Sequence, residues 1–218
     1  MQICKSCAGG CCRNYSVAIT GYDILNISKT LGIDPISFIQ IVEIEDEADF
    51  EYKSKHAALF KFTDAKKDVF YMFGMRMVES QLVQGTAKCQ FLMEWYYNRN
   101  NPSIDQIIAR CGIYNCRPLI CSAFPSKFDS TENRGVVLNL SSISESKEHP
   151  IYNLCSGTIA GEEVDRAADD IMKALILRKF ELDYFKNLAS YWNEKPGTIT
   201  EFLVFMQNAY QDRVYVDQ

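Results

Sequence analysis

At 218 residues, with 47% hydrophobic and 23% charged side chains, the chain is long enough to bury one good core with a helical appendage and needs no covalent staples. A net charge of −5 excludes a surface built to neutralise phosphate, so no nucleic-acid partner is expected. No stretch approaches the roughly 18 uncharged apolar residues of a membrane helix, and the Met1-Gln2-Ile3-Cys4 start has neither a basic nor an apolar leader region, so the expectation is a cytoplasmic protein with reduced thiols and no membrane association.

The chain opens on four cysteines within twelve residues, Cys4, Cys7, Cys11 and Cys12. Cys4-Lys5-Ser6-Cys7 is the two-residue knuckle that turns both thiolates towards one ion, and soft thiolates select zinc or iron–sulfur clusters over hard cations. Tyr15 to Ile19 then reads as a short strand. Thr20 with Asp23 three residues later forms a capping-box start for a helix that carries Ile24, Ile27 and Leu31 on one face and stops at Gly32. Asp34-Pro35 predicts the N-cap and first position of a second helix bearing Ile36, Phe38 and Ile39.

Leu59 to Phe62 and Val69 to Val78 are apolar and aromatic, and Thr63 to Asp68 between them is turn chemistry, so the pair predicts a hairpin. Gly85 marks a turn before Lys88-Cys89-Gln90-Phe91-Leu92, and Val136 to Leu140 predicts another short strand. The segment Cys111 to Pro125, with two prolines, reads as loop and short turns. From Glu162 onward Val164, Ala168, Ile171, Met172 and Leu175 recur at helical spacing. Pro196-Gly197 breaks that helix, and Thr198 with Glu201 opens another bearing Phe202, Phe205, Met206 and Ala209. The aromatic stripe Phe180, Tyr184, Phe185, Tyr191 and Trp192 is expected to face a core. These elements together predict an α+β fold: a cysteine-rich metal-binding domain over residues 1–160, followed by a C-terminal helical hairpin over 161–218.

A second cysteine group, Cys111-Gly112-Ile113-Tyr114-Asn115-Cys116-Arg117-Pro118-Leu119-Ile120-Cys121, runs on into Ser122-Ala123-Phe124-Pro125. With the opening group, the Thr20/Asp23 helix ending in Leu31-Gly32, and Cys89-Gln90-Phe91-Leu92, it resembles the YkgJ-type cysteine-cluster family, named for a CxxCxxCC opening and described as zinc- or iron-chelating or as iron–sulfur proteins. The resemblance covers about residues 1 to 157. Within it, Cys111, Ile113, Tyr114, Arg117, Pro118, Cys121, Phe124 and Pro125 match the family's string position by position. The chain departs from the pattern in four places. Three residues separate Cys7 from Cys11 where the family has two; residues 93–110, with Trp95, Tyr96 and Tyr97, form an insertion that reads as a lid or a partner surface; Cys116 falls on a variable family position; and Ser122 stands where an arginine often follows the cysteine.

The resemblance therefore sets Cys116 aside as the odd thiol among nine cysteines and implies Cys4, Cys7, Cys11, Cys12, Cys89, Cys111, Cys121 and Cys155 as metal ligands. Eight thiolates permit two four-ligand sites, or one site with spare cysteines. An iron–sulfur cluster, [4Fe–4S], is the favoured cofactor: ligation is all cysteine, Phe91, Tyr114 and Phe124 are available to shield a cluster, and flagellin lysine-N-methylases share a similar signature. Zinc is the alternative. Arg117 and Tyr114 are the expected substrate contacts, with a structural brace and simple packing as the competing roles. The functional expectation is an iron–sulfur protein in protein modification by methyl transfer or in redox chemistry, with a protein substrate or partner. A zinc-stabilised interaction module without catalysis is the second reading. His56 and His149 read as surface residues.

Overall fold

The computed structural model describes residues 9–14, 16–66, 68–98, 100, 103, 106–124, 126–129, 134–137 and 168–215. Six α-helices and eight strands lie among them, so the fold is α+β. They belong to two compact units, one comprising Met1–Val17 with Arg76–Ile176 and the other Ala18–Met75 with Leu177–Gln218. The two tail helices, α5 (Ala168–Glu194) and α6 (Ile199–Tyr215), thus continue into the same unit as the segment that follows the first cysteine group. No helix among the described residues is long and apolar enough to cross a membrane.

In the unit built from Ala18–Met75 and Leu177–Gln218, helix α2 (Gly21–Leu31) starts as its sequence dictates. The Thr20 side chain accepts from the Asp23 backbone, the Asp23 carboxylate accepts from Thr20, and Gly32 ends the helix at φ 65°. That left-handed cap is where glycine costs least. Asp34 caps only a single 3₁₀ turn, Pro35–Ser37, and the expected second helix gives way to strand β1 (Ile39–Glu43). Strand β1 pairs antiparallel with β2 (Tyr71–Met75), from Ile39 opposite Met75 to Glu43 opposite Tyr71. Alternate residues of Ile39-Gln40-Ile41-Val42 suit a pleated strand, and the ladder partner lies some thirty positions away, beyond the reach of a local reading.

All five residues of β2 are buried, and its other edge is met by isolated bridges, Ala18 to Gly74 and Phe60 to Tyr71. The expected hairpin between 59–62 and 69–78 is therefore reduced to the Phe60–Tyr71 bridge, and the strand predicted over Tyr15 to Ile19 to the bridge at Ala18, with Tyr15 outside the described residues. Helix α3 (Glu47–His56) escaped the sequence reading because it buries no residue. It is held by the Asp46 cap and by Lys53–Asp49 and Lys55–Glu51 pairs one turn apart. The centre of the unit is aromatic: Phe202 lies 4.5 Å from Phe60, 5.3 Å from Phe73 and 5.2 Å from Trp192 between ring centroids, and Phe185 lies 5.0 Å from Phe60. Of the expected aromatic stripe, Phe185 and Trp192 are buried whereas Phe180 and Tyr191 are exposed. Thr198 and Glu201 form the anticipated reciprocal cap of α6, with the Glu201 backbone donating to Thr198 Oγ1 at 3.2 Å and Glu201 Oε2 accepting from the Thr198 backbone at 2.7 Å.

The other unit is built from short pieces. Helix α1 (Cys11–Asn14) is a single turn. Strands β3 (Met77–Glu79) and β4 (Ala87–Cys89) form one antiparallel pair, β5 (Leu92–Tyr96) and β6 (Ile107–Cys111) a second, and β7 (Ser126–Asp129) and β8 (Arg134–Val137) a third. Most of the described part of the 93–110 insertion is thus the β5–β6 hairpin. The cysteine segment folds as a 3₁₀ turn (Tyr114–Cys116), in line with the expected short turns, and as a short helix, α4 (Leu119–Ala123), where only loop and turn were expected. Ala123 packs with Ile171, Ala174 and Leu175 at the start of α5.

Candidate metal centre

Each described cysteine of the proposed ligand set sits on a short element, four of the five at its end. Cys11 and Cys12 open α1, Cys89 ends β4, Cys111 ends β6, and Cys121 lies within α4. Two local devices converge these ends. The turn from Cys89 to Leu92 joins β4 to β5, and Leu92 is the strand partner of Cys111, so Cys89 lies three residues from the residue that faces Cys111. The Gly112 N–H donates to the Phe91 carbonyl at 2.8 Å and closes the same corner.

The second device is Gly9, at φ 79°. A Cβ there would come within 2.8 Å of Leu92 Cδ2 and 3.2 Å of the Ala109 methyl. Only glycine lets the backbone before Cys11 approach the β5–β6 hairpin so closely while turning left-handed. The Gly9 carbonyl then accepts from the Cys12 N–H at 2.9 Å, and the Gly10 carbonyl from Arg13 and Asn14 at 3.1 and 3.0 Å, which starts α1. Gly9 and Gly10, two of the three residues between Cys7 and Cys11, thus form the turn that leads into α1.

The thiols feel one another. Cys11 and Cys12 Sγ are 3.9 Å apart. The Cys12 thiol is pushed up by its hydrogen bond to Cys11, then by burial and by the charges of Cys11, Cys121 and Cys89. Burial raises Cys89 to about 11, with Cys111 and Cys11 adding to the rise against a lowering backbone hydrogen bond from Phe91. Burial also raises Cys111, with Cys11 and Cys116 pushing the same way and Arg117 pulling back. Five proposed ligands, Cys11, Cys12, Cys89, Cys111 and Cys121, are therefore linked by mutual repulsion of their thiolates, which a metal cation would relieve.

Among the described residues no three His, Cys, Asp or Glu side chains close to the spacing of a complete ion-binding cage. Cys4, Cys7 and Cys155, like His149, lie outside the described residues. The all-thiol character of the donor set fits zinc or iron–sulfur ligation. Cys116 is 5% exposed and is near enough to act on Cys111. The Arg117 guanidinium lies over the Tyr114 ring at 4.1 Å, and its Nε donates to Ser122 Oγ at 3.2 Å. Tyr114 is 46% exposed, and Phe91 and Phe124 are half-buried. His56 is exposed and tilted against Tyr52 at the end of α3.

The sequence reading passed over a charged group beside the thiols. Arg13, next to Cys12, is wholly buried and pairs with Glu94 of β5, whose side chain is 3% exposed. Glu94 Oε1 also accepts from Ser80 Oγ at 2.8 Å and from the Gln81 N–H at 3.0 Å, and lies 3.2 Å from Lys88 Nζ. Burial works to raise the Glu94 carboxyl, but hydrogen bonds from Arg13, Ser80 and Lys88 outweigh it and hold the group down at about 2. A basic residue abutting a cysteine at both Cys12-Arg13 and Lys88-Cys89 was the signal available in the sequence.

Residues 3–148 match a family model, CxxCxxCC, described as "Putative zinc- or iron-chelating domain". Comparison with curated proteins and with solved structures gives no match.

Proposed function

The chain belongs to the CxxCxxCC family, and from that membership together with its convergent thiols we propose that it holds a [4Fe–4S] cluster and acts in protein modification by methyl transfer or in redox chemistry. The observation that carries the reading is the Cys11–Cys12 pair, 3.9 Å apart between sulfurs, with Cys89 and Cys111 brought to one corner by the Gly112–Phe91 hydrogen bond; neighbouring cysteines push up the thiols of Cys12, Cys89 and Cys111. Cys4, Cys7 and Cys155 complete the proposed ligand set. When bound, an iron–sulfur cluster supplies one-electron chemistry.

The chain's own residues bind and orient. Thiolates released from their protons ligate the metal, so loading liberates protons and strengthens as pH rises. Arg117, held over Tyr114 and against Ser122, is the residue proposed to contact an anionic group of a protein substrate, with the exposed Tyr114 ring beside it. The cytoplasm, where such thiols stay reduced, is the proposed compartment. The methyl-transfer arm draws on the cysteine signature shared with flagellin lysine-N-methylases, and the redox arm on the all-thiol donors.

A zinc-stabilised interaction module is the second reading, favoured by the Cys4-x-x-Cys7 knuckle and by the small apolar clusters of the unit that bears the cysteines. A visible spectrum of protein purified without oxygen separates the two. A brown chain with broad visible absorption supports the cluster, and a colourless chain carrying zinc overturns it in favour of the module.

A further inference from the structure

The buried charges beside the thiols exceed what packing needs. Arg13, Lys88 and Glu94 come from α1, β4 and β5, three elements that meet where Cys12 and Cys89 sit. Taking charged groups out of water is costly, and a fold that needed only to fill this space does so more cheaply with apolar side chains. The group is nevertheless well connected. Glu94 receives Arg13, Ser80, Lys88 and the Gln81 backbone, and Lys88 Nζ also donates to the Leu92 carbonyl at 2.8 Å, on the residue that pairs with Cys111.

We propose that Arg13, Glu94 and Lys88 are positioning residues for the metal centre, locking the Cys11–Cys12 turn to the strands that end at Cys89 and begin opposite Cys111, and leaving net positive charge beside the thiolates. Among the described residues two cations, Arg13 and Lys88, face the one carboxylate of Glu94, an excess of one positive charge within that group. Four thiolates around a divalent ion or a doubly charged cluster leave two negative charges over, and that excess is expensive in a partly buried site unless nearby cations offset it. The network therefore does two things for a site that must assemble from short elements. It aligns the donors before the metal arrives, and it neutralises part of the charge that remains afterwards.

The proposal rests on the metal-binding reading, and the test separates the two. The full-length chain is purified without oxygen, its zinc and iron are counted, and the rate of metal loss to a chelator is measured. In Arg13→Met/Lys88→Met/Glu94→Leu the charges are replaced together by apolar groups of similar size, which the fold is expected to accept. That variant should keep its helical circular dichroism and lose metal about 10- to 100-fold faster than wild type. Lys88→Met alone should lose metal faster, and Lys88→Arg, which keeps the charge, should behave as wild type; a merely structural lysine would show no such charge-dependent rescue. A folded triple variant that retains metal at the wild-type rate overturns the proposal. Should the triple variant fail to fold, the Lys88 pair decides, and equal retention in Lys88→Met and Lys88→Arg overturns it. A wild-type chain with neither zinc nor iron overturns the metal reading and the positioning role with it, whereas a loaded wild type with unaffected variants overturns the positioning role alone.

Discussion

In the unit formed by Ala18–Met75 and Leu177–Gln218, Phe60, Phe73, Phe185, Trp192 and Phe202 are buried around one another. In the unit that bears the cysteines no aromatic side chain among the described residues is buried, and the apolar clusters there include Ala123 with Ile171, Ala174 and Leu175, and Val83 with Ile107. The first arrangement is an ordinary hydrophobic core with capped helices. The second is an assembly of hairpins and single turns that buries a charged pair, Arg13 with Glu94, and whose thiols repel when ionised. Under the proposed metal-binding reading the two units draw on different sources of stability: apolar burial in one, and ligation in the other.

Removing the metal is the severest way to test that division. Structural thiolate sites contribute on the order of 10 kcal/mol to small domains. Chelation of the full-length chain is expected to abolish hydrogen-exchange protection at β4, β5 and β6 while leaving α2, β2 and α6 protected. Uniform loss across both units, or loss in neither, breaks the comparison.

The converse perturbation is Phe202→Ala, which empties the centre of the aromatic cluster and should cost about 3–5 kcal/mol. Denaturant melts read by exchange at β2 and α6 should show that loss, with metal content per chain unchanged. Acid sharpens the comparison further. Because the folded Glu94 carboxyl is held down at about 2, its contribution is complete above the ordinary glutamate value of about 4.3 and is lost as pH falls from there towards the folded value. Acidification through that window should weaken the cysteine-bearing unit, and Glu94→Gln should remove this part of the pH dependence. The smallest effect belongs to Cys116→Ser, expected to leave metal content near wild type, in contrast to Cys121→Ser, expected to remove it; metal analysis of both variants checks the division of the nine cysteines.

What could be read from the sequence follows from the range of the interactions involved. The Thr20/Asp23 and Thr198/Glu201 caps are contained within four residues, so local chemistry names them. The cysteine string from Cys111 to Cys121 is equally local, and it led to the family. Strand β1 was mistaken for helix because Asp34-Pro35 is a sound helix start and because its ladder lies with β2 across some thirty residues. Helix α3 was missed because it has no apolar face to reveal it. The site's charged bracing was hidden for the same reason as β1: Arg13 and Glu94 are 81 positions apart, and nothing in either neighbourhood names the other.

Metal and acid-labile sulfide per chain, determined on full-length protein purified without oxygen, test the central claim most directly. The account predicts a stoichiometric thiolate-bound metal, with iron matched by sulfide. A folded chain whose β4–β6 region is protected from exchange while it carries neither iron nor zinc would contradict it.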